Sequence, residues 1–123
     1  MQEEKKDSRT YSDRKEYMAA YYKDYYADET KKAAVLEGKR KLAERNRAAY
    51  KAWKETLSCT LCSERDACCL EFHHLDPAEK DYTLSKIAGK SMRFILKEAA
   101  KCIVLCSNCH KKVHAGSISL PSY

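Results

Sequence analysis

The chain contains four histidines, and they fall into two tight groups in its C-terminal half. His110 and His114 are spaced i, i+4, so on a helix both imidazoles lie on one face and reach one metal ion. His73 and His74 are adjacent, and adjacent residues of a strand point to opposite sides. One of this pair can therefore join the ion while the other faces a reacting water. The pattern predicts an open metal site of the kind used in catalysis.

Four of the seven cysteines form two Cys-x-x-Cys pairs, Cys59 with Cys62 and Cys106 with Cys109. Two such pairs supply the four thiolates of a structural zinc site, which would fasten the ends of a short module with little core. A redox role is the alternative for either pair alone. The histidines could also complete a zinc site without doing chemistry, although the four cysteines already satisfy one ion. The other cysteines are not assigned as ligands: Cys68, Cys69 and Cys102.

The elements that must position these residues can be predicted from periodicity and from helix and turn signals. The two strands and three helical segments predicted are Leu70–Leu75, Cys102–Leu105, Tyr82–Gly89, Ser91–Ala100 and Asn108–Ala115, the last ending at Gly116.

Composition changes near Leu57, because every cysteine and histidine follows it while most tyrosines precede it. We predict a helical arm over residues 1–56, a Cys/His module over 57–118 and a flexible tail over 119–123. Within the arm, Asp13 and Glu16 predict a capping box, and a break near Asp28 leads to a second helix from Thr30 to Leu57. The tyrosine columns of the first helix are expected to pack rather than to stack on bases.

The charge of the arm is concentrated in its second helix, where Lys31 to Lys54 holds nine Lys/Arg and two acids, against a net charge of +6 for the chain. This face could lie along DNA phosphates or simply be solvated, and both interpretations stay open. An odd cysteine count favours metal binding and free thiols in a reducing compartment. No apolar run has the length of a membrane span, and no secretory signal is visible, so we expect a cytoplasmic protein with no membrane partner.

Two stretches carry a resemblance to a known family: LEFHHLDP at 70–77 and KCIVLCSNCHKKVHAG at 101–116. They resemble the HNH endonucleases, above all the small phage and bacterial members whose core is clasped by a four-cysteine zinc. The resemblance covers about half of the chain. It implies a small α+β fold, a ββα-metal (HNH/His-Me finger) module with a four-cysteine structural zinc, here preceded by the helical arm.

The resemblance also implies a role for each histidine. His73 matches the first metal ligand and His74 the general base, while His110 and His114 complete the metal site. Cys59, Cys62, Cys106 and Cys109 match the structural zinc ligands. The catalytic ion implied is divalent (Mg²⁺, Mn²⁺, Ni²⁺ or Zn²⁺). The family's middle Asn is replaced by Lys101, which has only donors and cannot make the same contacts.

The function implied is a metal-dependent DNA endonuclease that hydrolyses phosphodiesters to 5′-phosphate and 3′-hydroxyl ends, in phage homing or packaging. Its partner is double-stranded DNA; a homodimer and a phage protein complex are further partners left open, and the location is the host cytoplasm if the chain is phage-encoded. The alternatives are a non-catalytic zinc-ribbon DNA-binding module and an accessory protein of a phage packaging or replication complex. The candidate DNA contacts are Lys39, Arg40, Arg45, Arg47, Arg93, Lys97, Lys101, Lys111 and Lys112.

Overall fold

The computed structural model describes residues 10–120, which form a small α+β structure. Within that range the strands pair into one two-stranded antiparallel sheet. The helices and strands are α1 (Tyr11–Ala27), α2 (Glu29–Lys54), β1 (Leu70–His74), α3 (Met92–Ala99), β2 (Cys102–Cys106) and α4 (Ser107–His114). Three short 3-10 turns lie at Ala67–Cys69, Pro77–Glu79 and Leu84–Ile87.

The ends of the first two helices are set by side-chain caps. Thr10 caps α1 in a capping box with Asp13, so the predicted box of Asp13 with Glu16 is wrong by one turn. The break near Asp28 is confirmed, because Asp28 Oδ1 accepts hydrogen bonds from the backbone N–H groups of Thr30 and Lys31. In a continuous helix, these two N–H groups would donate to carbonyl oxygens of the preceding turn. At the break, the Asp28 carboxylate accepts from them instead.

The tyrosines of α1 pack against one another along the helix surface. Tyr21 lies beside Tyr25 and Tyr22 beside Tyr26, with ring centroids 6.0 and 6.1 Å apart. No described residue of α1 is buried, and Tyr21 and Tyr22 remain about half exposed (48% and 47%). These contacts therefore form between neighbouring turns and not in a core.

The described chain divides into two compact units between Arg40 and Lys41, inside α2. The later part of α2 belongs to the second unit because its aromatic side chains join that unit's core. Trp53 stacks on Phe72 of β1, with ring centroids 5.4 Å apart and planes 9° from parallel. Asn46 donates a hydrogen bond to the backbone oxygen of Gly89 (2.9 Å).

The sheet is a β1–β2 pair in which Leu70 is opposite Cys106 and His74 is opposite Cys102. The predicted strands are thus confirmed to within a residue at their ends. The segment between them crosses over through α3, whose Ile95 is fully buried with Leu84 and Ile87.

The helix predicted over Tyr82–Gly89 forms only the turn Leu84–Ile87. The backbone N–H groups of Asp81 and Tyr82 bond to the Glu98 carboxylate, so the chain leading into the turn is extended rather than helical.

The helix α4 follows β2 without a loop and is capped by Cys106, whose Sγ accepts from the Cys109 N–H. Gly116 stands beyond its end with a φ of +77°, a conformation that side chains other than glycine rarely adopt. Of the predicted tail 119–123, Leu120 packs with Ile118 on a core formed around Leu105. Residues 121–123, and residues 1–9 of the arm, lie outside the described residues. No helix in the described part of the chain has the length and apolarity needed to cross a bilayer.

Candidate active site and metal centres

Four cysteines converge on one point, and we call them the cysteine cluster (Cys59, Cys62, Cys106 and Cys109). Their Sγ atoms all lie within 4.8 Å of one another. Two come from the turn before β1, one from the end of β2 and one from the first turn of α4. Backbone N–H groups point at the sulfurs: Leu61 N–H donates to Cys59 Sγ and Cys109 N–H to Cys106 Sγ, each at 3.4 Å. The predicted gathering of these four thiols is confirmed.

The cysteine cluster has the dimensions and chemistry of a zinc site. Sulfurs at the corners of a tetrahedron with Zn–S bonds of about 2.3 Å lie roughly 3.8 Å apart, and Cys62 Sγ and Cys106 Sγ are 3.5 Å apart. Burial alone would raise the pKa of Cys59, but backbone N–H groups of Cys106, Leu61 and Cys62 lower it to about 6. The hydrogen bond with Cys106 instead raises the pKa of Cys109 to about 12, as expected where neighbouring thiols share protons without an ion. A bound cation favours thiolates, and the gathering of the four sulfurs means that these residues could hold a zinc ion.

Three histidines converge on a second point, and we call them the histidine cluster (His73, His110 and His114). Each offers a ring nitrogen within 4.8 Å of the others. His110 Nε2 and His114 Nε2 are 3.0 Å apart. If two nitrogens bind one ion at about 2.1 Å and the two bonds form a right angle, the nitrogens are about 3.0 Å apart. Burial, followed by the nearby charges of the other histidines, lowers the pKa of His73 and favours the neutral form that a ligand requires.

Glu71 orients the histidine cluster, and sequence reasoning missed it. Its Oε2 accepts a hydrogen bond from His110 Nδ1 (2.5 Å), and its Oε1 accepts one from Ser107 Oγ (3.0 Å). The hydrogen bond from His110 lowers the pKa of Glu71. Because Nδ1 carries the proton, the lone pair of His110 is on Nε2, which faces the other two histidines. A carboxylate behind a ligating imidazole fixes its tautomer in this way in many metal sites. Glu71 lies two residues before His73 on β1, hence on the same side of the strand.

His74 points to the other side of β1, away from the histidine cluster, and contacts a buried acid. Its Nε2 lies 2.8 Å from Glu98 Oε1. Glu98 is 3% exposed, and burial alone would raise its pKa. Hydrogen bonds from Lys101, His74 and the backbone N–H groups of Tyr82 and Asp81 outweigh burial and lower it to about 2. Glu98 is therefore an anion that can only accept, so His74 Nε2 donates. In neutral His74 the free lone pair is then on Nδ1.

Lys101 completes the buried network around Glu98. Its ammonium donates to Glu98 Oε2 (2.9 Å), to Asp81 Oδ2 (2.7 Å) and to the backbone oxygen of Glu79 (2.9 Å). The hydrogen bonds to Asp81 and Glu98 raise the pKa of Lys101. The lysine thus reaches the loop that follows β1, while its own backbone oxygen accepts from the Leu75 N–H (3.0 Å). Lys101 is engaged within the fold, although the sequence suggested it as a phosphate contact.

One cavity connects the two sides of this arrangement. It has a volume of about 450 Å³, and both His74 and His110 line it. The other side chains on its walls come from the turn before β1, from β1, from the end of α2 and from the loop between β1 and α3. They are Tyr50, Lys54, Cys68, Leu70, Glu71, Phe72, Lys80, Thr83, Leu84 and Ser85. The imidazole beside Glu98 and one imidazole of the histidine cluster therefore open onto the same space.

The remaining predicted DNA contacts are spread over three helices and are all exposed. Arg40 pairs with Glu37 (2.6 Å), and the Arg47 guanidinium lies against Gly89, 3.4 Å from where a Cβ would stand. Lys97 lines a smaller cavity of about 210 Å³ beside Lys101. The others lie on α2, α3 and α4 outside both cavities: Lys39, Arg45, Arg93, Lys111 and Lys112.

No protein-family model, curated protein or solved structure matches this chain. What the site can do is therefore inferred from its own residues and their geometry.

Proposed function

We propose that the protein is a metal-dependent DNA endonuclease of the HNH type, with a ββα-metal core formed by β1, β2 and α4. The proposal rests mainly on the two adjacent histidines of β1, His73 and His74, which have different surroundings. His73 faces two imidazoles of α4, while His74 faces a buried carboxylate, and the cavity is shared by His74 and His110. A zinc-binding module that only recognises DNA needs neither the open cluster nor an oriented fourth histidine.

The histidine cluster would hold the catalytic ion and the cysteine cluster a structural zinc. A bound divalent ion would polarise the phosphate and stabilise charge on the departing oxygen. Imidazole nitrogens suit Zn²⁺ and Ni²⁺, and Mn²⁺ or Mg²⁺ is accepted where phosphate and water supply the other ligands. Through the hydrogen bond at Nδ1, Glu71 would keep His110 Nε2 available to a bound ion.

His74 would act as the general base. A neutral imidazole whose Nε2–H is held by Glu98 presents Nδ1 to a water molecule and accepts its proton as that water attacks phosphorus. The fixed partner keeps the ring in one tautomer and one orientation. His74 is 8% exposed at its side chain, so water would reach it only through the cavity that it lines.

The pair Glu98 and Lys101 would take over the work of the Asn expected at position 101. An Asn amide would both donate and accept hydrogen bonds. Here Lys101 would supply the donor and Glu98 the acceptor. Lys101 donates to the Glu79 oxygen, and Glu98 accepts from the Asp81 and Tyr82 N–H groups. The loop that follows His74 is thus held by hydrogen bonds to both its carbonyl and its N–H groups.

The proposal is tested by incubating supercoiled plasmid with the purified protein and a panel of divalent ions, then mapping the ends of the products. We expect nicking or cutting with 5′-phosphate and 3′-hydroxyl ends in at least one ion. His74→Ala, purified identically and with the same zinc content, controls for contaminating nucleases. A wild type that binds DNA but never cuts it under any ion would leave the DNA-binding alternative standing instead.

The positioning role of Glu98 has its own test. Glu98→Gln retains an acceptor for His74 and should cut faster than Glu98→Ala. If Glu98 acts through His74, Glu98→Ala combined with His74→Ala should be no slower than His74→Ala alone. Additive losses, with DNA affinity and zinc content unchanged, would show that Glu98 acts elsewhere.

A further inference from the structure

Two lysines that were not predicted as DNA contacts line the cavity shared by His74 and His110. Lys54 is the last residue of α2, and Lys80 lies in the loop after β1. They are far apart in sequence, and the fold brings both to the lining of this cavity. Within residues 10–120, no carboxylate forms a salt bridge with either ammonium. Two cations without a salt-bridge partner on the lining of one cavity favour an anionic ligand.

Both lysines extend from backbone that the fold holds in place. Lys54 follows Trp53, whose ring is stacked on Phe72. Lys80 stands between Glu79, whose oxygen accepts from Lys101, and Asp81, whose N–H donates to Glu98. The network that orients His74 therefore also fixes the attachment point of Lys80. Positions set in advance reduce the entropy lost when a ligand binds.

Hydroxyl groups complete the wall. Thr83 and Ser85 line the same cavity, and the Thr83 side chain caps no backbone N–H of the turn that follows it. Glu71 is the cavity's acidic residue, and its two oxygens are engaged with His110 and Ser107. The lining thus offers a ligand two ammonium groups and the hydroxyl-bearing side chains of Tyr50, Thr83 and Ser85, which suit phosphate oxygens.

We propose that Lys54 and Lys80 bind a DNA phosphate that flanks the scissile one, with the hydroxyls of Thr83 and Ser85 donating further hydrogen bonds. This inference rests on the proposed function, because it takes the scissile phosphate to lie at the histidine cluster. In this arrangement, the backbone of the substrate strand would cross the cavity from the histidines of α4 toward the end of α2.

The test measures DNA affinity against salt concentration in the His74→Ala background, where cutting does not interfere. Adding Lys54→Gln and Lys80→Gln should reduce the slope of log Kd against log salt by about 1, as expected when a phosphate contact is lost. The matched control removes the same charge with Lys86→Gln and Lys90→Gln, which lie outside the cavity, and should leave the slope unchanged. An unchanged slope in the first variant, or an equal decrease in both, would overturn the proposal.

A chemically modified substrate locates the contact. A neutral methylphosphonate is placed on either side of the mapped cut. On one side it should abolish the affinity difference between the proteins with and without the two lysines; a difference that persists on both sides contradicts the assignment. If the wild type cuts DNA while the slope is unchanged, only the subsite fails. If the wild type never cuts but the slope decreases as expected, the proposed function fails and the phosphate site remains.

Discussion

The cysteine cluster and the histidine cluster are built on the same helix, yet they differ in how completely they would enclose an ion. Cys109 and His110 are consecutive on α4 and point to different clusters. Three of the four cysteines are buried, whereas the histidines are half-buried or exposed. The first offers four ligands, a complete tetrahedral shell, and the second offers three. One short helix thus joins a closed site suited to stability and an open site suited to chemistry.

The largest effect should come from breaking the closed site. Cys106→Ser leaves an incomplete shell and removes the sulfur that caps α4, so we expect loss of bound zinc and of cooperative unfolding in the second unit. Binding of structural zinc contributes about 10–16 kcal/mol in small zinc modules. Thermal unfolding followed by circular dichroism, with zinc content measured beside it, checks this. Cys102→Ser, outside the cluster, is the control. A normal melting temperature for zinc-free Cys106→Ser would contradict the closed-site role.

Breaking the open site should remove function and leave the fold. His110→Ala is expected to abolish binding of the second ion and DNA cutting, while zinc content and melting temperature stay close to those of the wild type. Calorimetric titration with Mn²⁺ or Ni²⁺ measures the ion affinity. If His110→Ala unfolds as much as Cys106→Ser, the histidine cluster is also needed for stability, and the contrast between the two sites is wrong.

Removing the carboxylate behind His110 should have an intermediate effect. Glu71→Ala frees the imidazole to rotate and to change tautomer, so ion affinity should decrease by about 10- to 100-fold. Glu71→Gln keeps an acceptor and should lose less. Glu55→Ala, an exposed acid at the end of α2, serves as control. Equal affinities for Glu71→Ala and the wild type would mean that the hydrogen bond does not orient the ligand.

The smallest effect is expected at the thiols that neither cluster uses. Cys68 is exposed, with its Sγ 3.8 Å from that of Cys69. Cys68→Ser should change the free energy of unfolding by less than about 0.5 kcal/mol and leave one zinc per chain. Loss of zinc in this variant would extend the closed site beyond the four cysteines.

Most members of the two clusters could be predicted from sequence because Cys-x-x-Cys and i, i+4 histidines each specify a local geometry, whereas His73 was singled out by the alternation of sides along the predicted strand and by the family resemblance. The strands and α4 could be predicted for the same reason. The partners of those ligands could not, since Glu71 and Glu98 are two among 18 acids and their contacts join distant parts of the chain. A signal existed for each. Glu71 alternates with His73 on β1, and Glu98 follows Ile95 by three residues on the buried face of α3.

Lys101 shows where sequence reasoning about residue types reached its limit. A lysine in place of Asn was expected to lack the contacts of that amide and was a candidate DNA contact. The structure places its ammonium between the Glu98 carboxylate and the Glu79 oxygen, so the lysine works with a partner that no local pattern connects to it. The later part of α2 is similar, because the stacking of Trp53 on Phe72 and the hydrogen bond from Asn46 to the Gly89 oxygen join residues that no local pattern connects.

We have proposed that the histidine cluster holds the ion for hydrolysis and that His74 is the base. The most direct measurement is the single-turnover rate of DNA cutting for wild type and His74→Ala, with each protein loaded with the activating ion and in sufficient excess over the DNA to bind all of it. We expect equal ion and DNA affinities and a rate lower by roughly 100- to 10,000-fold in the variant, the contribution of a positioned general base. Equal rates under saturation would contradict it.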